Sequence, residues 1–182
     1  MTHAVPRVGV GVLVLHRAPS GSVEVLVGQR SGSSHGHGTL QLPGGHLELH
    51  EEWAECAVRE LAEETGIEAG QLAEAPRFLT ATNSPHLEGK HYITVFMGAD
   101  VAGPRPEAQL LEPEKCAGWA WVPLEWLVAR ASPSAAPGRT DAEAWSAASA
   151  WAGSAALFEP LSRLLRERRD VVDTLLQSAP GQ

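Results

Sequence analysis

The sequence predicts a mixed α/β fold, with a sheet built around one central helix and further helices after it. Three observations carry this reading. β-Branched, glycine-spaced runs recur through residues 7–122. One intervening stretch, residues 52–65, places apolar residues at helical spacing. Beyond residue 156, leucines and valines return at helical spacing. Strands, a helix, more strands and then helices describe one mixed layer architecture.

The elements follow in chain order. Residues 7–16 (RVGVGVLVLH) read as a buried strand and Val23–Val27 as the next, with Gly21 supplying the turn between them. Residues 31–38 (SGSSHGHG) form a polar glycine loop. A short strand over 39–42 should stop at Pro43-Gly44-Gly45. In the helix over 52–65, Trp53, Ala57 and Leu61 recur at i+4, backed by Ala54 and Val58, and Gly66 is the expected stop. Extended stretches follow at 77–82, 91–98 and 117–122, and Pro123 opens a helix through Leu127. Residues 131–140 (ASPSAAPGRT) have linker composition. Leu157, Leu161, Leu164, Leu165, Val172 and Leu176 then predict a helical C-terminal part. The expected organisation is a core over 1–130, with a linker and helices over 131–182 packing on the same domain.

Composition bounds the function. The chain has 182 residues, 43% hydrophobic and 20% charged, which is enough apolar material for a packed core. No apolar run is long enough to span a membrane. A net charge of −8 argues against a general grip on nucleic acid. Cys56 and Cys116 stand far apart with no zinc spacing and read as free buried thiols. The N-terminal residues lack a secretory pattern, so the expected location is cytoplasmic.

The most informative segment runs from Gly45 to Ile67. Glu60, Glu63 and Glu64 project from one sector of the helix, and Glu51 can fold back toward them. Like charges at i,i+4 repel, and the last helical turn already carries the negative dipole end. Carboxylates placed where two local rules oppose them call for a cation, and their oxygens suit Mg²⁺ or Mn²⁺. Arg59 reaches Glu55 and Glu63 at i±4 but cannot neutralise four acids.

A solvated acidic face would explain three glutamates, but not the whole pattern. Gly45, five residues, Glu51, seven residues and Arg59-Glu60-Leu61-Ala62-Glu63-Glu64-Thr65-Gly66-Ile67 fill every defining position of one motif. Chance produces such a match about 10⁻⁹ times per starting position. On these residues the chain is identified as resembling the Nudix hydrolases. That resemblance implies an α/β/α sandwich with a mixed sheet and a loop–helix–loop catalytic motif. It implies hydrolysis of a phosphoanhydride joining a nucleoside diphosphate to another group. It also implies Mg²⁺ or Mn²⁺ held by Glu60, Glu63, Glu64 and the Gly44 carbonyl. Arg59 would orient Glu60 and Glu63, and any of the three glutamates could be the base, with Glu60 the first choice. Two positions depart from the pattern: His50 stands where glycine is common, and Glu52 where a Ser or Thr cap is common.

Further stretches narrow the branch. Val8-Gly9-Val10-Gly11-Val12, Gln41-Leu42-Pro43-Gly44-Gly45-His46-Leu47-Glu48, Asn83-Ser84, His91-Tyr92-Ile93-Thr94 and Glu112-Pro113-Glu114-Lys115 resemble the MutT-related nucleoside triphosphate diphosphatases. The animal thiopurine-nucleotide diphosphatase and its plant and bacterial relatives look most similar, over about residues 7–127. The resemblance implies cleavage of nucleoside triphosphates, modified or oxidised ones included, to monophosphate and pyrophosphate by a homodimer. It places Leu42, Thr94, Phe158 and Leu161 at a base pocket and Glu114 at an extra metal position. Arg30 could meet a phosphate or simply end a strand.

Other readings remain at this point: hydrolysis of dihydroneopterin triphosphate, NADH or ADP-ribose, or a non-catalytic nucleotide sensor. The histidines lack zinc spacing and read as solvated loop residues. Trp119 and Trp121 should share one strand face, for packing or a dimer contact rather than base stacking. Ser33, Gly36 and Gly38 could approach phosphates through backbone amides.

Overall fold

In a computed structural model, residues 5–32, 36–87, 89–131 and 155–177 are described. They form one seven-stranded mixed sheet between two helical layers. The strands are β1 (Arg7–Arg17), β2 (Val23–Arg30), β3 (Leu40–Gln41), β4 (Gly44–His46), β5 (Arg77–Leu87), β6 (Lys90–Asp100) and β7 (Cys116–Pro123). The helices are α1 (Trp53–Thr65), α2 (Leu124–Ala131), α3 (Glu159–Glu167) and α4 (Arg169–Gln177), with a single 3₁₀ turn at Ala69–Gln71.

The sheet runs β3-β2-β1-β6-β5, with β4 added on β1 and β7 on β2. Only β1 and β6 are parallel; the other pairs are antiparallel. β1 is buried on both faces through Val10–Leu15, as a central strand covered by two layers should be. Val10, Val12 and Val14 join Val95 and Met97 under α1, against Ala57 and Leu61. Leu13, Leu15 and Phe96 face the other way, against Leu127 of α2, Leu161 and Leu164 of α3, and Val172 of α4. The C-terminal helices therefore pack on the sheet and share one of its two cores.

Several expectations change in detail. Gly44 and Gly45 do not merely end a strand; with His46 they form β4, in register with Gly9–Gly11. Trp53 is not core: it is 43% exposed and packs on exposed Phe78 at 5.3 Å between ring centres. Cys56 takes its place in the buried stripe of α1. Leu157 is not helical; it bridges Leu40 in parallel, and backbone bonds from Leu40 to Ala156 and from Phe158 to Leu40 seat this segment on the sheet edge. The C-terminal helical stretch is two helices, broken at Arg168. Pro123 closes β7, and α2 starts directly after it. Ser33 and much of the linker stretch lie outside the described residues.

The missing Ser/Thr cap is replaced. The Glu55 carboxylate accepts the Glu52 N–H at 2.9 Å, the back-reaching half of a capping box. At the other end Gly66 adopts φ 70° and donates its N–H to Ala62. Among the described residues no helix is long and apolar enough to cross a membrane.

Candidate active site

α1 enters from β4 and ends beneath it, which brings the carboxylates of its last turns against the Pro43–Gly45 loop. The Glu64 carboxylate is 7% exposed and accepts the Gly44 N–H at 2.9 Å. Glu60 lies against Gly45, where any Cβ would collide with its carboxylate. A side chain at position 45 would displace the Glu60 carboxylate from its place against the loop. Gly44 is needed twice, because it has positive φ and its missing Cβ would run into the Val10 carbonyl.

The carbonyls at the C-terminal end of α1 do not stand bare beside these acids. The Trp119 indole N–H donates to the Glu64 carbonyl at 3.2 Å, and the Gln109 amide to the Thr65 carbonyl at 2.8 Å. Trp119 and Trp121 pack on the α1 side of the sheet and do not line the cavity described below. Gly28 makes room for Trp119, since a Cβ there would strike the indole and Cys116.

Arg59 holds the acids apart in a fixed pattern. Its Nε and Nη2 donate to the two oxygens of Glu51, at 2.7 and 3.0 Å. Nη1 donates to Glu60 at 2.8 Å and to Glu63 at 3.3 Å, and Nη2 also reaches the His46 carbonyl. The expected Glu55 contact is absent from this set, because Glu55 is committed to the helix cap and Glu51 supplies the bidentate partner. Arg59 keeps Glu51 strongly acidic, with a pKa lowered to about 2. Burial acts oppositely on the inner pair. Desolvation raises Glu60, and it raises Glu64 to about 8, with the Glu60 charge adding to the Glu64 shift.

Glu60 and Glu64 open into a cavity of about 500 Å³. Its far end passes under α3 and is walled by Leu42, Thr94, Phe96, Phe158 and Leu161. Four of these five, Leu42, Thr94, Phe158 and Leu161, are positions named from sequence, and Phe96 is the fifth. Arg30 also lines the cavity, with its guanidinium 4.3 Å from the Phe158 ring centre and a hydrogen bond to Gln41. Gly36, at φ 73°, fits closely against the other side of Phe158.

Two named residues lie apart from the cavity. Glu63 is 54% exposed on its side chain and sits at the rim on Arg59. Glu114 is exposed and does not line the cavity; its neighbour Lys115 does, paired with Glu112 at 2.7 Å. The sequence reading gave no site role to Lys115, Gln41 or His46; His46 pairs at the cavity mouth with Tyr92, their polar atoms 3.0 Å apart. Only their place beside recognised motifs could have signalled them.

The donor set fits a hard divalent ion. Two adjacent carboxylates, Glu64 buried and Glu60 half-buried, have their charged forms disfavoured by desolvation, and their oxygens are the ligand type such an ion takes. Glu60 and Glu64 would hold such an ion, with Glu63 and the Gly44 carbonyl nearest to complete its shell. Among the described residues no three acidic, His or Cys side chains already stand in a ligating group. Here Glu60 and Glu63 are instead held by Arg59.

Comparison with known proteins agrees with this geometry. A family model described as NUDIX domain matches residues 5–145. A Mycobacterium tuberculosis protein that carries the name mutator protein MutT4 is 37% identical over 93 residues, covering 49% of this chain and 34% of its own length. Another from that organism, carrying the name 8-oxo-dGTP diphosphatase 3, is 39% identical over 71 residues, covering 39% and 33%. The chain thus spans about a third of the length of these relatives. The crystal structure of the Nudix hydrolase RenU from M. smegmatis shares the fold, with a TM-score of 0.66 at 21% identity over 97% of this chain and 90% of that one. With the signature helix, its buried glutamates and the sandwich around them all in place, the chain belongs to the Nudix hydrolase family.

Proposed function

We propose that this protein hydrolyses nucleoside triphosphates to the monophosphate and pyrophosphate, with Mg²⁺ or Mn²⁺ held by Glu60, Glu63, Glu64 and the Gly44 carbonyl. One observation carries the reading: a single cavity joins two adjacent carboxylates, Glu64 buried and Glu60 half-buried, to an apolar chamber. The first end suits a polyphosphate with its cations and the second suits a base. The name of one mycobacterial relative, 8-oxo-dGTP diphosphatase 3, supports oxidised purine nucleotides among the substrates.

When bound, the metal neutralises the polyphosphate and lowers the pKa of a coordinated water. The protein's own part is positional. Gly44 fixes the Glu64 carboxylate through its amide, and Arg59 fixes Glu60 through Nη1. Glu60 is the base we favour, because it is half-buried beside the cavity and desolvation raises its pKa. Lys115 places a positive charge at the same end, where it can meet a phosphate. The α3 segment brings Phe158 and Leu161 over the base end, so the C-terminal helices belong to the functional unit.

The test is incubation with dGTP, 8-oxo-dGTP, dCTP, NADH and ADP-ribose under Mg²⁺ or Mn²⁺, with product identification. Monophosphate plus pyrophosphate from a triphosphate supports the proposal. Turnover of ADP-ribose or NADH alone would move the chain to a dinucleotide branch. Tight binding without turnover would make it a sensor.

A further inference from the structure

Two glycines on the cavity floor have no structural reason to be glycine. Gly9 and Gly11 lie in β1, and neither has positive φ. The β1–β6 register runs through both without a bulge, pairing Gly9 with Thr94 and Gly11 with Phe96. A Cβ on Gly9 would meet nothing closer than the Gly45 carbonyl at 3.6 Å. A Cβ on Gly11 would meet the Phe96 ring at 3.4 Å and Leu42 at 3.8 Å, which are ordinary contacts. Gly28, Gly44 and Gly45 differ, since a Cβ on each would collide with its surroundings. Glycine within a strand weakens it and marks a bulge, a bend or the close approach of another group. Bulge and backbone strain are absent here, which leaves the third reason. Both glycines line the cavity, on the same sheet face as Thr94 and Phe96.

A second observation lies next to this floor. Thr82 pairs with Thr94 across β5 and β6, so the two share a sheet face. Thr82 is 6% exposed, and its Oγ1 has no hydrogen-bond partner among the described residues. Its neighbours on that face are satisfied, Thr80 by Arg168 and Ser84 by Glu159 at 2.7 Å. Thus β5 places an unpartnered buried hydroxyl beside the one that lines the cavity.

We infer that Gly9 and Gly11 form a seat on which a flat aromatic base lies against the β1 backbone, with Thr94 facing its polar edge and the Thr82 hydroxyl beside Thr94 on the same sheet face supporting that edge. This deepens the proposed function and rests on the ligand being a nucleotide. Gly9 lies beside Gly45 at the phosphate end, and Gly11 lies between Leu42 and Phe96 at the apolar end. A methyl at Gly11 therefore obstructs a two-ring purine more than a one-ring pyrimidine. A methyl at Gly9 obstructs both.

The experiment measures binding of dGMP and dCMP, and inhibition by pyrophosphate, for wild type, Gly9→Ala, Gly11→Ala and Thr82→Val under Mg²⁺. Thermal melts check that each variant is folded. Gly11→Ala should weaken dGMP by about tenfold or more and dCMP by clearly less, in keeping with the effect of one methyl in a pocket. Gly9→Ala should weaken both nucleotides. Pyrophosphate inhibition should stay within about twofold in Gly11→Ala and Thr82→Val, because both lie away from the phosphate end. Thr82→Val should weaken nucleotide binding several-fold at unchanged melting temperature or above. Folded glycine variants that bind both monophosphates as wild type does would overturn the seat, and an unchanged Thr82→Val would overturn the hydroxyl edge. If wild type binds nucleotides in a Gly11-dependent way but hydrolyses none, the seat stands and the diphosphatase proposal falls. If wild type binds neither monophosphate, the seat itself is wrong.

Discussion

The Glu64 carboxylate sits under the Gly44 amide, accepting its N–H at 2.9 Å while lying almost wholly out of water. One hydrogen bond does not offset that burial, and the carboxyl is pushed up to about 8, above an ordinary value near 4.5. Between those two values the folded metal-free chain binds more protons than the unfolded one. Its stability must therefore fall as pH rises through that window. Melts in EDTA should show a decline from pH 5 to pH 8. Glu64→Gln should flatten it and leave stability at pH 8 equal to wild type or higher. A flat wild-type profile would remove the burial argument.

The same two carboxylates should be needed for turnover. Glu60→Gln and Glu64→Gln should each lower kcat by about a hundredfold or more at saturating Mg²⁺, the usual scale for loss of an acid–base or metal-holding group. Steady-state kinetics on folded variants decides this. Normal turnover in both would end the assignment of this helix as the reactive centre.

A metal that binds only the folded state raises the melting temperature as RT ln(1 + [M]/Kd). Millimolar Mg²⁺ or Mn²⁺ should do so, with release of a proton from Glu64, because coordination needs the charged carboxylate. Titration calorimetry in two buffers of different ionisation enthalpy measures that release. Glu64→Gln should lose most of both effects. A wild type with neither response would count against the proposed ligands.

Much of this site was legible in the sequence, because a helix and a fixed motif determine which carboxylates lie together. The grouping of Glu60 and Glu64 follows from spacing alone. The base end was less legible. Phe158 and Leu161 reach the cavity only because the Leu157 bridge to Leu40 docks a distant segment on the sheet edge. No local pattern encodes that register. Trp53 misled for a related reason: its i+4 spacing with Ala57 put it on the apolar stripe, but at the first turn of α1 it meets exposed Phe78 on the edge strand β5. The Glu51 fork on Arg59 was missed because i±4 rules describe neighbours within a helix, and Glu51 comes from the loop before it.

That fork makes an acid-side prediction. Arg59 holds Glu51 at a pKa of about 2, below its ordinary 4.5. The stabilisation this represents is complete above pH 4.5 and lost as pH falls through 2. Arg59→Ala should be less stable than wild type at pH 7, with the deficit narrowing as pH drops toward 2. Arg59→Lys should recover only part of it, since an ammonium cannot donate to both Glu51 oxygens in the same fork. Urea melts across pH 2–7 read the comparison, and a deficit independent of pH would assign the loss to packing.

The last prediction concerns His50, the position where the motif commonly has glycine. Its φ is 67°, and it is the non-glycine residue in the left-handed region among those described. That region brings Cβ close to the following carbonyl and costs an L-residue about 1–2 kcal/mol, a cost glycine does not bear. His50 is exposed, and the turn it makes leads directly into Glu51 and the start of α1. His50→Gly relieves the strain but also gives the unfolded chain more freedom, which offsets part of the gain. The net should be stabilisation by about 0.5–1 kcal/mol. His50→Val, with a β-branched side chain in the same conformation, should be destabilised relative to wild type. Because Glu51 and Arg59 keep their contacts in either case, kcat should change by less than about twofold in His50→Gly, as expected when catalytic groups stay in place. Chemical denaturation of the three proteins orders them, and a His50→Gly variant less stable than wild type would show that the imidazole, rather than the turn, governs this position.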